Sequence, residues 1–346
     1  MRITWQTARL ELARPLRISR ASMSGRDAVW VRLSDGEDHG WGEVVTSPRL
    51  GLDTARITTA LTELAARVEA CDAPEQLRAN LSGLRTTFPP PVVCAVDSAV
   101  HDLLARRAGV SVATYLGLPH RVRVPTACTI GLTSVAEAGD RTAELIAAGF
   151  SVVKMKLGAP DPADDIARVR AVRAVAPSAT LLLDPNGAWD AATAVTVLRT
   201  LAELDIAAVE QPVPAGRPAW LAEVAARAPM PVIADEDAGT VADLDWLPDG
   251  IGGINIKLAE CGGLDAALAM IGHARDRGLD VMLGCQAASS LGIAPAVHLL
   301  GAARWVDLDG HLLLAEDPWT GLGAADGVLS TPAGPGLGVT TAVAAR

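Results

Sequence analysis

Phe150-Ser-Val-Val-Lys-Met-Lys-Leu-Gly158 is a short apolar, β-branched run that ends in two lysines and is closed by a glycine, the pattern of a buried strand. Side chains two apart on a strand share a face, so Lys154 and Lys156 point the same way at its C-terminal end. Burying one ammonium is costly, and two side by side are worse. Each is expected to lower the other's pKa and leave a neutral amine able to take a proton near pH 7. The plainer reading of this segment alone is a strand end emerging into solvent, and the flanking chain separates the two.

After about residue 121 the chain alternates between strand and helix lengths. Strands are expected at 124–130, 151–156, 180–184, 206–210, 232–235, 251–257, 280–285 and 304–309. Alanine-rich helices are expected at 134–148, 162–174, 191–204, 218–228, 264–277 and 292–300. Strands separated by helix-length sequence predict a parallel (β/α) barrel rather than an open sheet. No helical pattern follows the eighth strand, and residues 318–346 are rich in Gly and Pro. The last barrel helix is therefore expected to be missing, with the tail returning to the first module.

That first module reads as strands at 3–12, 28–33 and 40–45, then helices at 53–69 and 92–107 on either side of a Pro89-Pro-Pro91 break. Residues 14–26 are polar and basic and are expected to form a mobile loop. His101 and Asp102, on the second helix, read as structural. The domains expected are an α+β cap over 1–120, a barrel over 121–317 and a returning tail over 318–346.

Bulk properties narrow the function. A net charge of −10 argues against non-specific nucleic-acid binding, which needs a basic footprint. Five cysteines without a CxxC pair read as free thiols in a reducing compartment. The N-terminus lacks an apolar secretory core, and no apolar run approaches the ~18 residues of a membrane span. The expected setting is cytoplasmic, with a small-molecule substrate, no nucleic-acid or membrane partner, and homo-oligomerisation left open.

The charges fall on a beat. Lys156, Asp184, Glu210, Asp235, Lys257 and Asp307 close successive predicted strands at steps of 28, 26, 25, 22 and then 50 residues, the last spanning two units. One βα unit occupies about 25–30 residues, so these side chains share the C-terminal rim where barrel active sites are built. A lone strand-end carboxylate is more often a helix cap, but six in register are hard to obtain by chance. Asp184, Glu210 and Asp235, from three consecutive strands, would repel one another unless a cation sits between them. Oxygen-only ligands suit a hard ion, Mg²⁺ most simply, with Mn²⁺ as a substitute. Asn186 and Glu236 lie beside these ligands as supporting candidates.

Lys154-Met-Lys156, Asp184 with Asn186, Glu210-Gln-Pro212, Asp235-Glu236 and Lys257 in Ile254-Asn-Ile-Lys together resemble the enolase superfamily, muconate-lactonizing-enzyme subgroup. The resemblance spans essentially the whole chain, including Trp41-Gly-Glu43 and the Gly-Pro-Gly-Leu-Gly tail at 334–338. It implies a modified (β/α)7β barrel beneath an α+β cap. A mandelate-racemase-type site would place a His–Asp dyad on strands six and seven. Here those strands end in Lys257 and in Gly284-Cys285-Gln286, and none of the six histidines falls at a strand end.

The resemblance also implies chemistry. Removing a proton α to a carboxylate builds a second charge on one group, which Mg²⁺ and a cationic Lys154 would stabilise as an enediolate. Lysine bases with Mg²⁺ are the general pattern of that superfamily. Lys156 and Lys257, on opposite sides of the mouth, would address opposite faces of a planar intermediate. Trp305-Val-Asp-Leu-Asp-Gly310 places Asp307 and Asp309 on one face, a pair suited to an α-ammonium. This DxD resembles the dipeptide epimerases, which invert the C-terminal residue of an L,L-dipeptide.

The alternatives on the same scaffold are o-succinylbenzoate synthase, N-acylamino acid racemase and muconate cycloisomerase, whose substrates offer the pair no cationic amine. A non-catalytic barrel would require a lost base or ligand, and all are present. Side-chain specificity is expected from residues 14–26 and 46–52. The first stretch carries Arg14, Arg17, Arg20 and Arg26, and an acidic second residue would suit it. The arginine used by Ala-Glu epimerases aligns at Ala21, one residue from Arg20, which makes Arg20 the candidate substrate contact.

Overall fold

The computed structural model describes residues 1–119 and 123–341. The chain opens with an antiparallel sheet of β1 (Arg2–Ile18), β2 (Ala21–Asp35) and β3 (Asp38–Val45), in that order. Helices α1 (Thr54–Glu69), α2 (Pro74–Leu84) and α3 (Pro90–Arg107) follow. Val29, Val31 and Leu33 of β2 pack with Leu61 and Leu64 of α1 and with Val96 and Val100 of α3. Asp53 caps α1 by accepting from Arg56 N at 2.8 Å. Every residue of α3 from Pro91 to Ala105 is buried. Its approach to β3 depends on Gly42, where a Cβ would meet Ala95 O at 1.9 Å.

Residues 14–26 are not the mobile loop expected from their polarity. They extend β1 and β2 into a paired hairpin, with Leu16 opposite Met23 and Ile18 opposite Ala21, turning at Ser19-Arg20. A register shift between Glu11 and Leu16 interrupts the alternation that would have revealed it. Beyond the shift, Leu16 and Met23 pack towards the core while the turn and its arginines face outward.

Eight parallel strands follow in sequence order: Ala127–Ile130, Val152–Lys156, Thr180–Asp184, Ile206–Glu210, Val232–Ala234, Gly253–Ile256, Asp280–Gly284 and Trp305–Asp307. Among the described residues no backbone ladder joins the first to the eighth. The seam is bridged instead by Leu308 N donating to Thr126 Oγ1 at 3.1 Å and Thr129 N donating to Asp309 Oδ2 at 2.7 Å. The six predicted helices are present, although the one placed at 292–300 runs Ser290–Val297, and the fifth connection carries only the four-residue Val241–Leu244. Among the described residues no helix follows the eighth strand. Ala127, Leu182, Ala208, Ile233, Met282 and Trp305 point inward as an apolar layer. The next inward position on those strands supplies Thr129, Asp184, Glu210, Asp235, Gly284 and Asp307, so the polar rim rests on an apolar floor.

The tail contacts both the first module and the barrel. Trp319 packs edge-on against Trp30 and Trp41, at 5.7 and 5.4 Å between ring centroids. Asp102 accepts from Trp41 N and Leu337 N, tying cap and tail together. The cap–barrel division at 120/121 lies outside the described residues. Val328–Leu329 pairs with Val124–Pro125, so the tail also touches the start of the barrel. All five cysteines are unpaired. Among the described residues no helix is long and apolar enough to cross a membrane.

His101 joins cap to barrel through partners the sequence did not show. Its Nδ1 lies 3.3 Å from Asp97 Oδ1, and its Nε2 lies 3.7 Å from Asp265 Oδ2. Burial pushes the imidazole pKa down, but Asp97 and Asp265 outweigh it and lift it to about 9. A folded value above the unfolded ~6.5 means the stabilisation is complete below that pH and lost as pH rises through the folded value. The loss is on the order of 3 kcal/mol. The melting temperature should therefore hold below about pH 6.5 and fall by several degrees between there and about pH 9.5. His101→Gln should already be low at pH 7 and nearly flat, and a flat wild-type profile would refute this linkage.

Candidate active site

Lys154 and Lys156 lie at different depths. Lys154 is 2% exposed, with Nζ 2.6 Å from Asp307 Oδ2, 2.6 Å from Glu210 Oε2 and 3.2 Å from Asp184 Oδ2. Lys156, one turn of the pleat higher, bonds Asp184 Oδ2. Across the barrel, Lys257 follows the sixth strand and reaches Asp235 Oδ2 at 2.5 Å and Glu210 Oε1 at 3.9 Å.

These contacts correct the expectation that Lys154 and Lys156 depress each other. Burial pulls the Lys154 pKa down, but Asp307, Glu210 and Asp184 hold it well above the ordinary value. For Lys257 burial is likewise outweighed, by Asp235, Glu260 and Glu210. The sequence could place the like charges, but it could not show the carboxylates arriving from distant strands.

The carboxylates respond in kind. Burial raises the Asp184 carboxyl, yet Lys156 and Lys154 outweigh it and hold it below its usual range. Burial and the neighbouring Asp184 lift Glu210 to about 7. Burial lifts Asp235 to about 6 against the opposing pull of Lys257. Asp235 Oδ1 is buried without a hydrogen-bond donor, and Glu210 Oε2 faces only the Lys154 ammonium. Three buried carboxylates, two of them with an oxygen lacking a hydrogen-bond donor and all three in contact with ammonium groups, suit a hard divalent cation.

Among the described residues, the only three-residue group of possible ligand atoms all within 4.8 Å is Asp97, His101 and Asp265. Its carboxylates are already held by Arg85 and Arg78, so the group is an ion-pair network between cap and barrel. The triad of Asp184, Glu210 and Asp235 is less tightly gathered than its strand register suggested. Lysine ammoniums hold its oxygens, which explains the wider spacing.

Asn186 lies against Asp184: its N–H donates to Asp184 Oδ1 at 2.9 Å and its Nδ2 to Oδ2 at 3.3 Å. Its φ of +50° is a backbone conformation that Asn adopts more readily than most residues. Glu236 does not bond the triad. It receives the Arg20 guanidinium, which also donates to Asn186 O at 3.3 Å. Arg20 is thus already neutralised and pins the hairpin tip over the mouth, rather than standing free for substrate.

Several contributors were missed. Asn255 Nδ2 donates to Glu210 Oε1 at 2.7 Å, and Gln211 Oε1 accepts from Asp235 N at 2.9 Å. Asn255 was legible in principle, since it shares strand parity with Lys257. Arg49 of the cap pairs with Glu260, just past Lys257, but no sequence spacing links those two.

The lysines, Asp307, Asp309 and cap residues enclose a cavity of about 120 Å³. A larger groove of about 1170 Å³ lies outside the hairpin tip, where Arg20 and Glu236 line it, but it contains none of the lysines. The chemistry therefore belongs to the smaller space, which the lysines line. Asp307 Oδ2 is taken by Lys154, and Asp309 Oδ2 by Thr129 N. Asp307 Oδ1 is buried without a donor, and Asp309 Oδ1 has only the Cys285 thiol, at 3.9 Å. Burial and Asp307 push the Asp309 carboxyl up to about 6.

An α+β cap closing a parallel barrel whose rim carries opposed lysines and an acidic triad defines an enzyme of the enolase type. Residues 137–345 match the family model for enolase C-terminal domain-like proteins, and residues 2–117 match the mandelate racemase / muconate lactonizing enzyme N-terminal domain. The chain belongs to this mandelate racemase / muconate lactonizing enzyme family of the enolase superfamily. It is 32% identical to a hydrophobic dipeptide epimerase of Roseobacter litoralis over 98% of both chains. It superposes on the substrate-liganded L-Ala-D/L-Glu epimerase from Bacillus subtilis with a TM-score of 0.93, at 28% identity and 99% coverage of each chain. A dipeptide epimerase from Methylococcus capsulatus, complexed with Mg and L-Arg-D-Lys, gives a TM-score of 0.90 at 32% identity, covering 98% of this chain and 99% of that one.

Proposed function

We propose that this protein is a Mg²⁺-dependent dipeptide epimerase that interconverts L,L- and L,D-dipeptides at the α-carbon of the C-terminal residue. It is an isomerase of the racemase and epimerase kind, as are its relatives by name. The observation that carries the substrate reading is the pair of incompletely satisfied oxygens, Asp307 Oδ1 and Asp309 Oδ1, beside the lysines. An α-ammonium offers the donors that both oxygens need. The alternatives on this scaffold bring no such cation. Five unpaired thiols support a reducing, cytoplasmic setting.

Asp184, Glu210 and Asp235 would hold the Mg²⁺, which supplies Lewis-acid stabilisation of charge on the substrate carboxylate. Lys154 stays protonated on its floor of carboxylates and adds fixed positive charge beside that group. Lys156 and Lys257 end strands two and six, four staves apart, so they face opposite sides of the α-carbon. One lysine takes the α-proton from one face. The other, as ammonium, returns a proton to the opposite face, and the centre inverts.

Incubating L,L-dipeptides with enzyme and Mg²⁺ in D₂O should place deuterium on the C-terminal α-carbon and yield L,D product, read by mass spectrometry and chiral chromatography. No exchange in any member of a broad library would sink the assignment. Asp307→Asn and, separately, Asp309→Asn should each lower kcat/KM for dipeptides by about 100-fold, mostly through KM, because a buried charge partner is lost. Neither change should act this way on an N-acylated substrate.

A further inference from the structure

The two bases are fastened differently where the chain leaves their strands. Lys257 O accepts from Glu260 N at 2.8 Å and Cys261 N at 3.1 Å, so the turn after the sixth strand holds it through backbone. Lys156 O accepts instead from Arg168 Nη1 at 3.0 Å, a side chain on the helix Pro162–Val175. Arg168 also bonds Asp165 Oδ1. Asp165 Oδ2 in turn accepts from Gly158 N at 2.8 Å and from Ala159 N at 3.2 Å. Between them, Leu157 N donates to Asp184 O at 2.9 Å. Every residue from Lys156 to Ala159 is thus held through its backbone, three of the four by one carboxylate–guanidinium pair.

Asp165 is fully buried and Arg168 is 2% exposed, on a helix whose other buried residues are Val169 and Val172. Two charges among apolar residues cost desolvation that their attraction only partly returns, and apolar side chains there would serve stability as well. Neither lines the cavity that the lysines share. What the pair holds is the turn that follows Lys156. The chain leaves the strand through Gly158 at φ +97°, a residue free to take many other conformations once its hydrogen bonds are lost.

From this asymmetry we infer that Asp165 and Arg168 are positioning residues for Lys156, fixing the backbone over 156–159 so that its side chain is held against one face of the α-carbon; the inference rests on the two-base epimerase reading. Lys257, held by its own turn, is independent of the pair. Losing the pair therefore impairs proton transfer on one face and spares the other. A merely structural role would lower both together.

The test measures α-proton exchange of L,L- and L,D-dipeptide separately, by nuclear magnetic resonance in D₂O with Mg²⁺, in wild type, Arg168→Met and Asp165→Asn. Displacing a reacting group by about 1 Å costs about 100-fold in rate. Each variant should lose about that factor in exchange of the stereoisomer that Lys156→Ala no longer exchanges, through kcat with KM nearly unchanged. Exchange of the other stereoisomer should stay within about threefold of wild type. Arg168→Lys, which keeps the charge and a donor, should recover part of the loss. Equal losses for the two stereoisomers, a loss confined to the one that Lys257 serves, or no loss in a folded variant overturns the inference and leaves the epimerase standing. If the variants fail to fold, hydrogen exchange in the wild-type enzyme decides. Its Gly158 and Ala159 amides should be protected by about 100-fold or more over free-chain rates, and exchange at free-chain rates overturns the clamp. A wild-type protein that exchanges no dipeptide α-proton defeats the epimerase reading, and this inference with it.

Discussion

Lys156→Ala and Lys257→Ala should each abolish epimerisation, lowering kcat by about 10⁴-fold or more, while each retains proton exchange with one stereoisomer only. Inversion needs a proton removed on one face and supplied on the other, so losing either lysine breaks the sequence. The surviving lysine still faces one side of the α-carbon. It can remove a proton and return solvent deuterium to the same face without inversion. Nuclear magnetic resonance of L,L- and L,D-dipeptide in D₂O would show complementary exchange in the two variants. Exchange of both isomers by either variant would refute the two-base assignment. The prediction is specific because Lys156 and Lys257 end strands four apart, and each is anchored on its own carboxylate, Asp184 and Asp235.

Stripping divalent ions should have a comparable effect, with α-proton exchange falling by about 10⁴-fold and recovering on adding Mg²⁺. Lys156 and Lys257 bond Asp184 and Asp235, two of the carboxylates that would hold the ion. Asp235, Glu260 and Glu210 hold Lys257 basic, and a cation bound by Asp235 and Glu210 would offset that pull. Burial leaves Glu210 at about 7 and Asp235 at about 6, both above ordinary carboxylate values. Protonated carboxyls are poor ligands, so Mg²⁺ affinity measured by calorimetry should weaken as pH falls below about 7. Asp235→Asn should weaken it further at pH 8. Full activity in excess chelator, or an affinity that strengthens in acid, would contradict this account.

Much of this site was legible because a barrel converts sequence spacing into geometry. One ionisable residue per βα unit at a constant strand position must lie on one rim, so the triad, Lys156, Lys257 and Asp307 could be placed from spacing alone. Parity gives direction but neither depth nor partner. It put Lys154 and Lys156 on one face, yet only the closed barrel shows Lys154 sunk among Asp307, Glu210 and Asp184. The hairpin was lost to a register shift, and with it the distinction between its arginines. Arg20 and Arg26 look alike in sequence, whereas one is neutralised by Glu236 and the other lies half-buried in the pocket that the lysines line. Such distinctions depend on residues more than 200 positions away and leave no local trace.

The unladdered seam between the first and eighth strands gives the barrel a built-in gauge. The hoop is completed there by the Thr129 N–H on Asp309 Oδ2, so a residue proposed to grip the substrate also fastens the last stave. Occupancy of the site and the tightness of that fastening are then two readings of one carboxylate. Hydrogen exchange at the Thr129 amide should slow on dipeptide binding, reporting ligand from within the wall of the barrel.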